Sequence, residues 1–367
     1  MSKAAELAKW GEVSTNGQVS GRRNIVINGA MNVAQRSASV TGIGATSGYY
    51  TIDRYQIIAG ATAGRFTMAQ VADVHDGFAN AMKLTCTTAD ASIAAGEYMG
   101  IHYRIEGQDL QQIKKGTSDA EKVTISFYVK GNASATYMLE VKDSDNTRLN
   151  QNQFAVTTDW TRIEITLNAD TTGAFTDDNG LSLELSFWLH GGSTYTSGTY
   201  TANTWAGQTN ANRLVGISSF FDSTDRTFFL TGLQMEVGSV ATPFEHRSFG
   251  EELALCQRYF YRWKTDGEAY SNLCIGGCTS TSVARGVAQL PQIMRSNASV
   301  SSSGTFRIVS MGAGVRTGIT ITINRGHTLQ PFMDFSSSGG SNLTAGNPAE
   351  MGANNDNDSI IDFNAEL

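Results

Sequence analysis

The stretch Leu181-Ser-Leu-Glu-Leu-Ser-Phe-Trp-Leu-His190 places an apolar side chain at every odd position from Leu181 to Leu189. Successive side chains of an extended chain point to opposite faces, so a period of two predicts a strand with one buried face. The same alternation recurs upstream. Val123, Ile125, Phe127 and Val129 alternate with Thr124, Ser126, Tyr128 and Lys130. Tyr137, Leu139 and Val141 form a second set, and Ile163, Ile165 and Leu167 a third. Asp143-Ser-Asp-Asn146 and Asp177-Asp-Asn-Gly180 each separate two such runs and carry hairpin-turn chemistry. Many short strands parted by turns predict an all-β fold, with a jelly roll or β-sandwich over residues 24–247.

One strand breaks parity. In RTFFLTGLQMEV, Phe228 and Leu230 are even whereas Leu233, Met235 and Val237 are odd. Either a bulge near Gly232 reconciles them, or Phe229 and Thr231 face inward and no bulge is needed.

Composition points the same way. Of 367 residues 40% are hydrophobic and only 17% charged, so Ser, Thr, Asn, Gln and Gly carry the polar surface, as suits strands. Glycine is abundant (38) and proline scarce (4), which favours hairpin turns over stiff linkers. The net charge of −7, with no basic run longer than Arg22-Arg23 or Lys114-Lys115, argues against nucleic-acid binding. No stretch approaches 18 apolar residues, so no membrane insertion is expected, and the first residues lack a signal-peptide core. Four scattered cysteines (Cys86, Cys256, Cys274, Cys278) fit free thiols in a protein made in the cytoplasm.

Beyond residue 247 the period changes. Ser248-Phe-Gly-Glu251 matches a capping box, and Leu253, Cys256, Phe260 and Trp263 share one helical face. A connecting helix over 248–264 is expected, followed by a smaller β domain over 265–367. Its strands are expected around 306–310 and 319–323, with residues 336–358 as loop and 360–363 as an edge strand. At the other end, residues 1–23 read as a short docking helix, with Leu7 and Trp10 as its apolar contacts, and a linker. A helix that short is ordered only against a partner, and a disordered tail fits nearly as well.

Cys274-Ile-Gly-Gly-Cys278 lacks the further ligands a zinc site needs, so its thiols read as structural. The Asp143/Asp145/Asn146 and Asp177/Asp178/Asn179 clusters could hold surface calcium, but hairpin turns explain both; no other cofactor and no resident metal is expected. No G-x-S-x-G, H-E-x-x-H, P-loop or G-x-G-x-x-G context occurs, and the five histidines are dispersed, so no catalytic residue is assigned. Trp188 falls on the polar face of its strand with Ser182, Glu184, Ser186 and His190. Tyr195, Tyr200 and Trp205 follow among small polar residues. Flat rings beside donors and acceptors suit a sugar; the bland alternative is a subunit interface or loop packing.

Several blocks resemble a widespread group of phage tail-fibre and related virion proteins. They are Arg23-Asn-Ile-Val-Ile-Asn-Gly-Ala-Met-Asn-Val-Ala-Gln-Arg36, Tyr50-Thr-Ile-Asp-Arg-Tyr55, Arg104-Ile-Glu-Gly107, the strand KVTISFYVKG and Asp159-Trp-Thr-Arg162. The longest is Leu230-Thr-Gly-Leu-Gln-Met-Glu-Val-Gly-Ser-Val-Ala-Thr-Pro-Phe-Glu245, running into Gly250-Glu-Glu-Leu-Ala-Leu-Cys-Gln-Arg-Tyr-Phe260. The resemblance implies a jelly-roll domain like carbohydrate-binding modules, in a virion component that commonly forms trimers. The expectation is a homotrimeric, non-enzymatic tail-fibre-type subunit that joins other virion proteins and contacts host surface polysaccharide. A purely structural capsid or tail decoration, or an adaptor, is the alternative; a polysaccharide depolymerase is less favoured.

Overall fold

A computed structural model describes Lys3 and residues 22–312, 314–339 and 342–367. Leu7 and Trp10, the expected docking contacts, lie outside the described residues, as does the linker up to residue 21. Backbone contacts divide the chain into two units, one running to Glu252 and including Leu367, the other covering Leu253–Glu366.

The first unit runs through β1 (Ser39–Ile43), β2 (Gly48–Tyr49), β3 (Tyr55–Gly60), β4 (Arg65–Val71), β5 (Ala81–Thr88) and β6 (Tyr98–Glu106). It continues through β7 (Val123–Gly131), β8 (Ala135–Asp143), β9 (Arg148–Val156), β10 (Thr161–Leu167) and β11 (Leu181–Gly191). After the short helix α1 (Ser193–Thr196) come β12 (Ala206–Gly207) and β13 (Thr227–Val237). One sheet has the order β1-β4-β5-β13-β7-β10 and the other β12-β9-β8-β11-β6-β3-β2, a β-sandwich of the jelly-roll class. Pairing is antiparallel throughout.

The odd-position sets read from the sequence meet in one core. Ile125, Phe127 and Val129 of the first sheet are buried with Leu139, Leu185 and Phe187 of the second. Phe127 stands edge-on to Phe187 at 5.0 Å and to Phe154 at 5.3 Å, the geometry the ring quadrupoles favour. In β13 the bulge is present. Register against β7 shifts between Thr231 and Gln234, Gly232 has φ +63°, and Phe228, Leu230, Leu233 and Met235 all reach the core. Phe229 turns the other way, edge-on to Trp160.

Asp143–Asn146 is a true hairpin joining β8 to β9, with Asn146 N donating to Asp143 Oδ1 at 3.0 Å. The expectation that 177–180 is also a hairpin is corrected. β10 and β11 lie in different sheets, so this segment ends a crossover. Its turn chemistry is local, Gly180 N donating to Asp178 Oδ1 at 2.8 Å, and local chemistry does not say which sheet the chain came from.

The most distinctive sequence blocks fold onto each other. Asn24 Oδ1 accepts from Val26 N (3.0 Å) and Met235 N (3.1 Å), and its Nδ2 donates to Leu233 O (3.3 Å). Glu245 Oε2 accepts the amides of Arg23 (2.9 Å) and Asn24 (2.7 Å). Asn28, at φ +60°, bridges Val33 O (2.9 Å) and Asp53 O (3.0 Å) through its Nδ2. Arg247 Nη1 donates to Val26 O at 3.0 Å and to Glu252 Oε1 at 2.9 Å, and Glu252 also accepts from Asn28 N. These side chains satisfy backbone groups that have no ladder partner.

Helix α2 (Phe249–Gln257) starts where the capping box placed it, Glu251 N donating to Ser248 Oγ at 3.3 Å. Its expected extent to residue 264 is corrected. Phe260–Lys264 is β14, paired residue for residue with Ile360–Asn364. Phe260 and Trp263 fit a helical face by spacing, but short apolar runs are ambiguous and pairing with a distant strand decides.

The second unit continues with β15 (Asn272–Cys278), β16 (Val283–Val287), β17 (Ser299–Ser303), β18 (Phe306–Ser310) and β19 (Gly314–Arg316). It ends with β20 (Ile319–Arg325), β21 (Phe332–Ser337), β22 (Pro348–Ala353) and β23 (Ile360–Asn364). These make a three-stranded sheet, β14-β23-β17, and a seven-stranded sheet, β19-β18-β22-β15-β16-β21-β20. Two expectations are corrected. Residues 336–358 are not all loop, since β22 lies between β18 and β15; its inward set, Ala349, Met351 and Ala353, is too small to stand out as a strand. β23 is central in its sheet, not an edge, with Ile361 and Phe363 in the core.

Candidate functional site: a cleft on the outer face of the seven-stranded sheet

The outer face of the first unit's seven-stranded sheet is built in cross-strand rows. Gln56, His102, Ser186 and Glu140 form one row across β3, β6, β11 and β8. Ile58, Gly100, Trp188 and Met138 form the next, and Arg104, Glu184 and Lys142 a third. Directly opposed side chains stand about 5 Å apart, which makes each row a set of interacting pairs. Two glycines make room for the rings. A Cβ on Gly100 would lie 2.8 Å from Trp188, and one on Gly60 would lie 2.6 Å from Tyr98.

Residues 192–218 fold over this face. Leu214 N donates to Tyr195 O (2.8 Å) and Ser218 N to Thr136 O (2.7 Å), while Leu214 packs on Met138 and Trp188. Between that loop and the sheet lies a cleft of about 350 Å³. Its aromatic wall is Tyr98, Trp188 and Tyr195; its charged wall is Arg104, Lys142, Glu184 and Arg213, with His102 beside them. Tyr98 stands edge-on to Trp188 (6.0 Å) and Tyr195 (5.6 Å), and His102 edge-on to Trp188 (4.9 Å).

The charges are paired with care. Glu140 receives Arg213 through two bonds, Nη2 at 2.6 Å and Nε at 2.9 Å, and Trp188 Nε1 at 3.2 Å. Arg213 also lies over the Trp188 ring at 5.1 Å. Burial would lower the Arg213 pKa, but the bond and charge of Glu140 outweigh it and push the guanidinium upward. Glu184 accepts from Arg104 Nε at 2.8 Å and lies 3.1 Å from His102 Nδ1. Burial would raise the Glu184 carboxyl; His102 and Arg104 outweigh it and hold it at about 2. His102 Nε2 is buried with no hydrogen-bond partner. Lys142 is the opposed neighbour of Glu184 in the sheet, yet among the described residues no carboxylate lies within ion-pair distance of its ammonium.

Of the four aromatics singled out from the sequence, the fold brings Trp188 and Tyr195 into the cleft wall. Tyr200 joins the same apolar cluster, its hydroxyl accepting from Gln153 N at 3.0 Å. Trp205 lies apart. It packs against the sandwich core beside Lys115 and Phe175, and its Nε1 donates to Asn168 O at 2.8 Å. The expectation of an open polar face around Trp188 is corrected. Trp188 is only 3% exposed, because Leu214 and Arg213 of the 192–218 loop pack on it. Ser182, Glu184, Ser186 and His190 are buried as well, Ser182 beside Thr176, Glu184 beside Arg104 and His102, and His190 between Glu97 and Ser219. Tyr98, His102, Arg104, Lys142 and Arg213 were missed. The first three share the even parity of Tyr98-Met-Gly-Ile-His-Tyr-Arg104, which could have placed them on the Trp188 face.

Other candidate ligand sets are engaged within the protein. Lys115 Nζ donates to Asp143 Oδ2 (2.5 Å), Thr172 O (2.8 Å) and Gly173 O (2.8 Å), and lies 3.1 Å from Asp170 Oδ2. A lysine ammonium thus sits where the Asp143 carboxylate would face a calcium ion. Asp90, Glu97 and His190 bring one ligand atom each within 4.8 Å of one another. Asp90 accepts from Thr62 and Ala63, and His190 is held between Glu97 (3.1 Å) and Ser219 (2.9 Å). Burial moves the His190 imidazole below its ordinary value against the pull of Glu97. All four cysteines are buried and none is in a disulfide, and burial pushes the Cys274 thiol up to about 12.

No family model matches the chain, and no curated protein matches it. Solved structures with a similar fold include the family 11 carbohydrate-binding module of a cellulosomal cellulase of Clostridium thermocellum. That likeness has 14% identity and a TM-score of 0.27, over 58% of this chain and 100% of that one. A CBM61 module in complex with β-1,4-galactotriose gives 9% identity and a TM-score of 0.30, over 59% of this chain and 99% of that one. The enzymatically active domain of tailspike protein 4 of bacteriophage CBA120 gives 11% identity and a TM-score of 0.30, over 58% of this chain and 21% of that one. Scores this low have no bearing on what this chain binds.

Proposed function

We propose that the protein is a bacteriophage virion component of the tail-fibre type that attaches to the host by binding a surface glycan in the Tyr98–Trp188–Tyr195 cleft. The observation that carries the binding half is the cleft itself, a concave site of about 350 Å³ with ring edges on one side and charged donors on the other. Sugars need that combination: apolar contact for ring C–H groups and fixed donors for hydroxyls. The virion half, and assembly as a homotrimer joined to other virion proteins, rest on the resemblance of the 23–36 and 230–260 blocks to phage tail-fibre proteins. Binding without cleavage is favoured because Glu184, engaged by Arg104 and His102, is the one carboxylate in the cleft lining among the described residues, whereas glycoside hydrolysis ordinarily uses two.

Tyr195→Ala and Tyr98→Ala variants of the full chain test this. Both are expected to fold, to appear in particles at normal stoichiometry, and to lose adsorption to host cells. Normal adsorption by both would overturn glycan binding at this cleft and leave a purely structural decoration role. Release of reducing ends from host polysaccharide would overturn the binding-only reading in favour of a depolymerase.

A further inference from the structure

We infer that the cleft selects an acidic sugar, a residue carrying one carboxylate, with Lys142 as the group that reads its charge. This rests on the glycan-binding reading above and narrows its ligand class. Three cations line the cleft, and two of them are spent. Arg213 is held by Glu140 through two bonds, and Arg104 by Glu184. Arg104 Nη1 in addition donates to Leu367 O at 2.6 Å.

Lys142 differs. Its opposed partner Glu184 is turned toward Arg104 and His102, and its other neighbour across the sheet is Leu149. Asp143, next in the chain, points to the opposite face and is engaged by Lys115. Glu106, further along the Arg104 side of the sheet, lies outside the cleft lining and accepts from Gln108 Nε2 at 2.7 Å. Among the described residues, one cation therefore faces the cleft with no carboxylate within ion-pair distance. An uncompensated charge in a partly desolvated cleft favours a counter-charged ligand and disfavours a neutral one that would cover it.

The number of charges points to the class. A single lysine balances a monoanion, as a uronate or similar carboxylate sugar presents, whereas a phosphomonoester carries up to two charges. Tyr98 and Tyr195, both partly exposed, bound the apolar side, so one residue can be held by its ring and read by its carboxylate.

The experiment uses the full chain and a panel of bacterial surface polysaccharides, with the carboxyl-reduced form of each acidic member as its matched neutral control. Binding to acidic members, at least tenfold weaker after carboxyl reduction, is expected. Lys142→Gln should abolish that difference, and raising salt from about 20 to 500 mM should shrink it, since exposed charge pairs are screened. Equal binding to native and reduced forms, or a Lys142→Gln variant that keeps the preference, would overturn the inference while leaving glycan binding intact. Binding to no member of the panel would overturn both.

Discussion

Glu245 Oε2 accepts the backbone amides of Arg23 and Asn24, groups more than 220 positions earlier in the chain, at 2.9 and 2.7 Å. A loop carboxylate after the last sandwich strand thereby fixes the segment that precedes the first. The two blocks that most strongly carry the virion resemblance are thus partners in a clasp that closes the domain. Their role in the fold explains their sequence without any ligand.

Breaking the clasp should cost stability and not binding. Glu245→Ala strands two amides, one of them on a buried residue, and is expected to lower unfolding free energy by about 2 kcal/mol. Urea unfolding measures the loss, and glycan affinity at the cleft should stay at the wild-type value.

Gly232→Ala is expected to be more costly. At φ +63° an L side chain is strained, and its Cβ would sit 2.7 Å from Phe78 and 2.8 Å from Tyr128. A loss of about 2–4 kcal/mol is expected, read as a fall in the thermal midpoint of the first unit. An unchanged midpoint would mean that the bulge in β13 can be moved at little cost.

Lys115→Ala removes the cation between Asp143 and Asp170; Asp170 keeps Arg148, but the buried Asp143 carboxylate loses its ion-pair partner. Removing one partner of a buried pair typically costs about 3–5 kcal/mol, and a destabilisation of that order is expected. Trp205→Ala, beside it, should also destabilise while leaving glycan binding intact, which separates Trp205 from Trp188 and Tyr195 experimentally.

Acid should weaken the cleft in a defined window. The folded Glu184 carboxyl is depressed to about 2 from an ordinary value of 4.5, so the ionised form is the one the fold stabilises. Its contribution is fully present above pH 4.5 and is lost as pH falls toward 2. Glu184→Gln should be less stable than wild type at neutral pH, and the gap should close across that window. A constant gap from pH 5 to pH 2 would contradict the pairing with Arg104 and His102.

Thiol reactivity should report folding. All four cysteines are buried, and Cys274 is raised to about 12, so little thiolate exists in the native state at neutral pH. Native protein is expected to resist a thiol-specific dye that labels four groups after denaturation; rapid native labelling of Cys274 or Cys278 would place them at an accessible surface.

Strand periodicity, the capping box at Ser248 and the parity break at Gly232 were legible in the sequence because each is written in neighbouring residues. That a bulge resolves the break, with Phe229 facing outward, was decided by the pairing of β13 with β7. Parity along Leu181–Gly191 follows from the geometry of one extended chain, and a glycine at a parity break marks where that geometry fails. Where strands lie next to each other was not legible. β23 became central and β22 entered a sheet because backbone pairing links residues about 80–100 positions apart, which no local pattern encodes. The cleft shows the same division. Periodicity put Trp188 on a polar face, but only the return of residues 192–218 over that face turned an open surface into an enclosed one. Arg213 meets Glu140 across 73 positions, and that pairing leaves Lys142 as the unbalanced charge. The strands with a clean alternation were legible in the sequence alone, whereas β14 and β22, and which charges cancel and which remain, were decided by the tertiary structure, because strand pairing and charge cancellation depend on distance in space.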